Sequence, residues 1–213
     1  MGQLFLFGQT TISIGPKFQN EALELDHIYN TGDSLGYSIS TFRCYVSHVK
    51  GITANGHELL LSDITLFDME DPSSFILGRT NESLRSISFL IGTDSITNVS
   101  GILEGPLDPI RGMYWTWNSG YINFKLEGKV VGKSGSEKSF EYHIGGYLSP
   151  HATARTVQFD VHPDAENITI KIQLDEWLKQ IDLEVLPSVM IPGKEAMTLA
   201  EELVNVFKVS TNE

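Results

Sequence analysis

Trp115 and Trp117 stand two residues apart, and Met113 precedes them at the same spacing. On a β-strand, residues i and i+2 share a face. The segment 112–124 therefore predicts one face with Met113, Trp115 and Trp117, and another with Tyr114, Thr116 and Asn118. Two indoles beside a thioether form an apolar cluster at minimum, and alternatively a redox-sensitive site. An intact indole is a poor metal ligand, because its nitrogen lone pair is spent in the ring and the group only donates. Imidazoles are the better candidates, and the chain has six: His27, His48, His57, His143, His151 and His162. His57 follows Asn55-Gly56 and His162 precedes Pro163, so both read as loop residues. A single histidine is more often a surface or satisfied core residue than a ligand. His143 stands apart, two residues before Gly145-Gly146, a pair that lets a second backbone approach closely.

The elements that position these residues read mostly as strands. Alternation marks strands over 11–14, ending at Gly15-Pro16, and over 37–50, 58–67, 83–92, 140–144, 157–161 and 168–174. The tryptophan strand breaks at Ser119-Gly120 and resumes over 121–126, with a hairpin closing near 133–136 that brings His143 beside it. In the 37–50 strand, simple alternation sets Ser47 and His48 on opposite faces. The stretch 93–111 is rich in Gly, Pro, Asn and Asp and reads as one long loop, a feature that is often functional. After Pro192-Gly193 the spacing of Ala196, Leu199, Ala200, Leu203, Val204 and Phe207 predicts a helix over 193–208. About nine strands followed by one helix predict a mainly β fold: an antiparallel β-sandwich with a docked C-terminal α-helix, as a single domain over 1–213.

Composition excludes several functions. A net charge of −12 and a pI near 4.9 argue against nucleic acid and against an anionic membrane surface, since either would repel the chain. Cys44 is the only cysteine, so neither an intramolecular disulfide nor a thiolate-cluster zinc site is available. No apolar stretch reaches transmembrane length. The run over 4–9 reads equally as the tail of an export signal within residues 1–10 or as part of a first strand. Gly132-Lys133-Ser134 lacks the upstream glycine and following helix of a phosphate loop. No nucleophile elbow, His-Glu-x-x-His or dinucleotide fingerprint occurs, and 94–104 lacks the alternating carboxylates of a calcium loop. Hydrolase and transferase chemistry are not expected.

The text Met113-Tyr114-Trp115-Thr116-Trp117-Asn118-Ser119-Gly120-Tyr121 resembles the M-x-W-x-W-x-x-G-Y signature of MbnP-like copper-binding proteins, in their Bacteroidetes-type branch. Tyr45-Val46-Ser47-His48-Val49, Gly92-Thr93-Asp94-Ser95 with Asn98, His143-Ile144-Gly145-Gly146-Tyr147 and Met190-Ile191-Pro192-Gly193 fit the same branch in the same order. The resemblance implies a periplasmic or cell-surface β-sandwich protein that is not itself an enzyme. It implies a di-haem partner, a cytochrome-peroxidase-type protein of the MbnH kind, that oxidises a tryptophan to kynurenine, and it implies copper as the bound metal. By position, Trp115 and Trp117 carry over as candidates for modification, and His143 as a candidate ligand. His48 is a second candidate ligand, with Met113, Tyr121, Asp94 and Asn98 in support. Two departures stand out: Ser47 and Val99 occupy places where the methanobactin-associated branch has histidines, and His48 is one residue off. The alternatives from other classes are a glycan- or surface-recognition module, in which exposed aromatics stack on sugar faces, and a structural module whose tryptophans only fill a core.

Overall fold

A computed structural model describes residues 9–31, 35–118, 120–132 and 135–212; the run over 4–9 lies almost wholly outside them. Every second residue of β1 (Thr10–Phe18) is buried, Ile12, Ile14 and Phe18 among them, and the strand continues through Gly15-Pro16 rather than ending there. Next come β2 (Glu21–Ala22), β3 (Tyr29–Asn30), the long β4 (Leu35–Thr53), β5 (Glu58–Asp68), β6 (Ile76–Thr80) and β7 (Leu84–Ile91). The expected loop follows, but it contains a short helix α1 (Ser95–Val99) and two 3₁₀ turns before β8 (Tyr114–Trp115). Strands β9 (Gly120–Gly132) and β10 (Glu137–Gly145) form the expected hairpin. The chain then runs through β11 (Arg155–Asp160), β12 (Asn167–Gln173), α2 (Leu174–Leu178), β13 (Ser188–Val189), α3 (Lys194–Val206) and β14 (Phe207–Asn212).

These strands make two sheets. The five-stranded sheet has the order β14-β12-β1-β2 with β6 also on β1; the nine-stranded sheet has the order β11-β7-β4-β9-β10-β13, with β3 and β5 also on β4 and β8 on β9. The sandwich is mixed rather than purely antiparallel, because β1 pairs parallel with β12 and β10 parallel with β13. The main core lies between the sheets, where Ile12, Ile14, Ile168 and Ile170 meet Phe42, Cys44, Phe89 and Phe124. Helix α3 buries Ala196, Leu199, Ala200 and Leu203 against it, at the spacing the sequence predicts, together with Val206, which lies outside that expected set, while the expected Val204 is half-buried. It stops at Val206 because Phe207 turns extended (φ −80°, ψ 128°) and starts β14 on the edge of β12.

One feature of β4 positions the site. Cys44 pairs with Phe67 of β5 and Phe124 of β9, whereas Val46 pairs with Thr65 of β5 and Ile91 of β7. The same edge of β4 is thus taken first by β9 and then by β7, and the sheet splits at Tyr45. The N–H of Gly92 closes the gap by donating to the Tyr45 carbonyl at 2.8 Å. The loop from Gly92 to β8 leaves from this split and folds over the outer face of the sheet. A second, smaller hydrophobic cluster forms beneath it from Tyr45, Leu66, Leu107, Met113, Trp115, Tyr121 and Ile122.

Candidate functional site

Strand β8 is only two residues long because the chain turns directly after Trp115, whose carbonyl accepts from the N–H of Asn118 at 3.3 Å. The strand expected over 113–118 is therefore replaced by a strand and a turn. Trp115 stays with the strand and is 6% exposed, while Trp117 sits in the turn at 62%. The rings nevertheless touch, with centroids 5.8 Å apart and planes inclined at 46°. Met113 is fully buried in the same cluster. Every other Phe, Tyr and Trp among the described residues is buried or half-buried, so a sugar platform would rest on the Trp117 ring.

The benzo edge of Trp115 lies against the backbone of β10. A Cβ on Gly145 would stand 2.8 Å from Trp115 Cζ3, 2.9 Å from Cη2 and 2.5 Å from the Tyr121 carbonyl oxygen. This is the close approach that a glycine pair on a strand permits. Phe140, Tyr142 and Ile144 point into the main core, so alternation turns His143 and Gly145 to the face of Trp115. One strand repeat, about 7 Å, separates His143 from the residue under the indole. His143 is 7% exposed, and its Nε2 lies 2.7 Å from Glu127 Oε1, an oxygen that also accepts from Lys125 Nζ at 3.1 Å. Burial pushes the Glu127 pKa up, but the hydrogen bonds from His143 and Lys125 and the lysine charge outweigh it and leave the carboxyl below its ordinary value.

His48 departs from simple alternation. Val46 and Val49 are both fully buried, so the two residues between them must leave the core face together. A β-bulge against β7 does this: Ser47 pairs with Leu90 and Lys50 with Ser88, so β4 carries one extra residue between them, and His48 takes φ 51°. Ser47 is buried and donates to the Gly92 carbonyl at 2.7 Å. His48 Nε2 meets Asp94 Oδ2 at 3.1 Å, and its Nδ1 is 3.7 Å from Asp63 Oδ1. The expectation of opposite faces is thus corrected, yet His48 and His143 are not brought together. They lie two strands and about five residues apart, roughly 15–20 Å by strand geometry. Among the described residues, no three His, Cys, Asp or Glu side chains converge to hold a metal ion.

The remaining candidates fasten the loop to the sheet. Asp94 caps α1 by accepting from the Thr97 N–H at 2.7 Å; burial raises its pKa, but the hydrogen bonds from Thr97 and His48 bring it below normal. Asn98 is 3% exposed; its Oδ1 accepts from the Tyr121 N–H at 2.9 Å, and its Nδ2 donates to Thr93 Oγ1 and the Asp94 carbonyl, both at 2.8 Å. The Tyr121 hydroxyl donates to the Gly101 carbonyl at 3.0 Å, and its ring stands edge-on to Tyr45 and Tyr114. Sequence reasoning missed Asn123, whose Oδ1 accepts from the Thr93 N–H at 2.9 Å and whose Nδ2 donates to Thr153 Oγ1 at 2.9 Å. The available signal was a lone amide within the apolar run of 121–126.

The arrangement is a pair of touching indoles, one in solvent and one sealed, on the outer face of the sheet beside a buried imidazole. Such a pair can give up electrons at a surface and pass the loss inward. The family model for MbnP matches residues 7–191. Among solved structures, MbnP from Methylosinus trichosporium is similar, with a TM-score of 0.58 and 15% identity over 80% of this chain and 77% of that one. A search of curated protein sequences finds no match. With the family model spanning most of its length and the fold agreeing, the chain belongs to the MbnP family.

Proposed function

We propose that this chain is an exported, copper-associated binding protein of the periplasm or cell surface, and that its Trp115–Trp117 pair is the substrate of a di-haem oxidase of the MbnH kind. Membership in the MbnP family supports the copper-related role. The observation that carries the oxidation reading is the contact between an exposed and a buried indole, set outside the main core, 5.8 Å centroid to centroid. The chain is the molecule acted on, not the catalyst. Four electrons pass from the indole to the di-haem partner and four protons to solvent, while two waters supply oxygen at C2 and C3 and the bond between them breaks. A third water then hydrolyses the formyl group, and C2 leaves as formate. What remains is an aromatic amine and a ketone, both able to approach a metal where the indole could not.

The encoded side chains alone suit copper poorly, since among the described residues no three ionisable donors converge. Ring opening at Trp115 would add donors on the face that already carries His143, with the thioether of Met113 in the same cluster. Imidazole, amine and thioether together are a donor set suited to copper. The test is the intact mass of the chain co-expressed with a di-haem partner, followed by peptide mapping. The expected result is a gain confined to the peptide carrying Trp115 and Trp117, and tighter copper binding by the modified protein that His143→Ala weakens. An unchanged mass removes the oxidation reading; a changed mass with no gain in copper affinity removes the copper reading alone.

A further inference from the structure

We propose that Trp117 is the port through which a one-electron oxidant reaches Trp115. The proposal rests on the reading that the pair is an oxidation target, and deepens it by giving the two indoles different parts. Trp115 is 6% exposed, with its benzo edge against Gly145 and its neighbours Met113, Tyr121 and Ile122 around it. No bulky oxidant can touch that ring. Trp117 is 62% exposed, and its ring meets that of Trp115 in a tilted contact of 5.8 Å. Electron tunnelling falls off steeply with distance, so touching rings exchange an electron far faster than either does with a group beyond the surface. Every other Phe, Tyr and Trp among the described residues is buried or half-buried, Tyr114 and Tyr147 near the site being half-buried.

An outer-sphere oxidant takes one electron from Trp117 and leaves a radical cation in contact with water, where charge is best solvated. Trp115 donates an electron to it, restoring Trp117. A cation on Trp115 is disfavoured by burial, so the Nε1 proton is released to water and a neutral radical stays behind. A second electron leaves by the same route; water adds at C2, forming a C–O bond, and one further proton departs. In all, two electrons pass to two equivalents of oxidant, two protons to solvent, and one oxygen atom from water to Trp115.

The test needs no biological partner. The full chain is photo-oxidised anaerobically with tris-bipyridyl ruthenium, whose ruthenium(III) form is returned to ruthenium(II), with a cobalt(III) ammine as terminal acceptor. Oxygen-18 water then marks the product on each tryptophan by peptide mass mapping. Direct attack scales with exposure, and the two residues are 6% and 62% exposed, so Trp117→Phe is expected to lower the label on Trp115 about tenfold. Trp117→Tyr, which can also hold a radical, is expected to restore most of it, a distinction that a merely structural role would not make. Label on Trp115 that is unchanged in Trp117→Phe overturns the proposal, as does label found only on Trp117 in the wild type. Failure of the di-haem co-expression would remove the biological oxidant and leave this result standing, so the two readings fail separately.

Discussion

Gly145 decides where Trp115 can lie. A methyl group there would stand 2.5–2.9 Å from the Tyr121 carbonyl oxygen and the benzo edge of the indole, so Gly145→Ala must displace the ring or the strand. The expected cost is about 1–3 kcal/mol in chemical denaturation, with a red shift of tryptophan emission as Trp115 gains water; an unshifted spectrum at full stability would show that the ring is not seated on β10. Cys44 is fully buried in the main core, and burial pushes its thiol pKa up. A thiol reagent should therefore label it only in denaturant, and rapid labelling of the native protein would contradict the packing. At this scale the sequence was readable where chemistry is local: the two indoles, the glycine beside His143 and the isolated cysteine all announce themselves by type and spacing. The opposed exposures of Trp115 and Trp117 were not readable, because they depend on where β8 ends, and that is set by a turn hydrogen bond rather than by alternation.

The loop over the outer face is held by few, buried hydrogen bonds, and Asn98 makes three of them. Asn98→Ala strands the Tyr121 N–H in a buried place, an expected loss of about 2 kcal/mol, with faster amide exchange from Gly92 to β8 and little change in β12. Exchange that rises evenly over both sheets would mean that the loop is not a separate element of stability. The trio across β9 and β10 makes a second prediction at this scale. Glu127 has a depressed pKa in the fold, so its contribution is fully present above about pH 4.5, its ordinary value, and is lost as pH falls through the lower folded value. Denaturation midpoints of wild type and Glu127→Gln should differ by a constant amount above that pH and converge below it; a constant difference down to strong acid would remove Glu127 as the titrating group. The hairpin behind this trio was legible because its turn signal and alternation agree. The bulge at His48 was not, since the extra residue in β4 is specified by its pairing with β7, where Ser47 meets Leu90 and Lys50 meets Ser88. Helix α2 was missed for a related reason: Leu174 to Leu178 is one turn and a half, too short for a period to show.

Over the whole chain, sequence pattern gives two faces to each strand but says little about which strand lies beside which. The parallel pairing of β1 with β12 joins residues more than 150 positions apart, and the return of the chain after α3 into β14 extends the same sheet from the C-terminal end. The five-stranded sheet is thus assembled from both ends of the described chain, with the nine-stranded sheet formed largely from what lies between. Trp177 reinforces the closure by donating its Nε1–H to the Leu199 carbonyl of α3 at 3.1 Å, while its ring stands edge-on to Phe124 of the other sheet. Such an arrangement makes the sandwich one cooperative unit, because neither sheet keeps its buried face without the other. Phe207, 2% exposed and packed on Phe89 at 5.8 Å, is where the chain end meets the nine-stranded sheet. Phe207→Ala is expected to cost about 3–5 kcal/mol while leaving one unfolding transition, seen alike by far-ultraviolet dichroism and, with Trp177 of the main core replaced by Phe in both proteins, by the emission of Trp115 and Trp117. Two transitions would show that the outer-face cluster carrying the indoles unfolds independently of the closure made by β14, and would divide the single domain expected from the sequence.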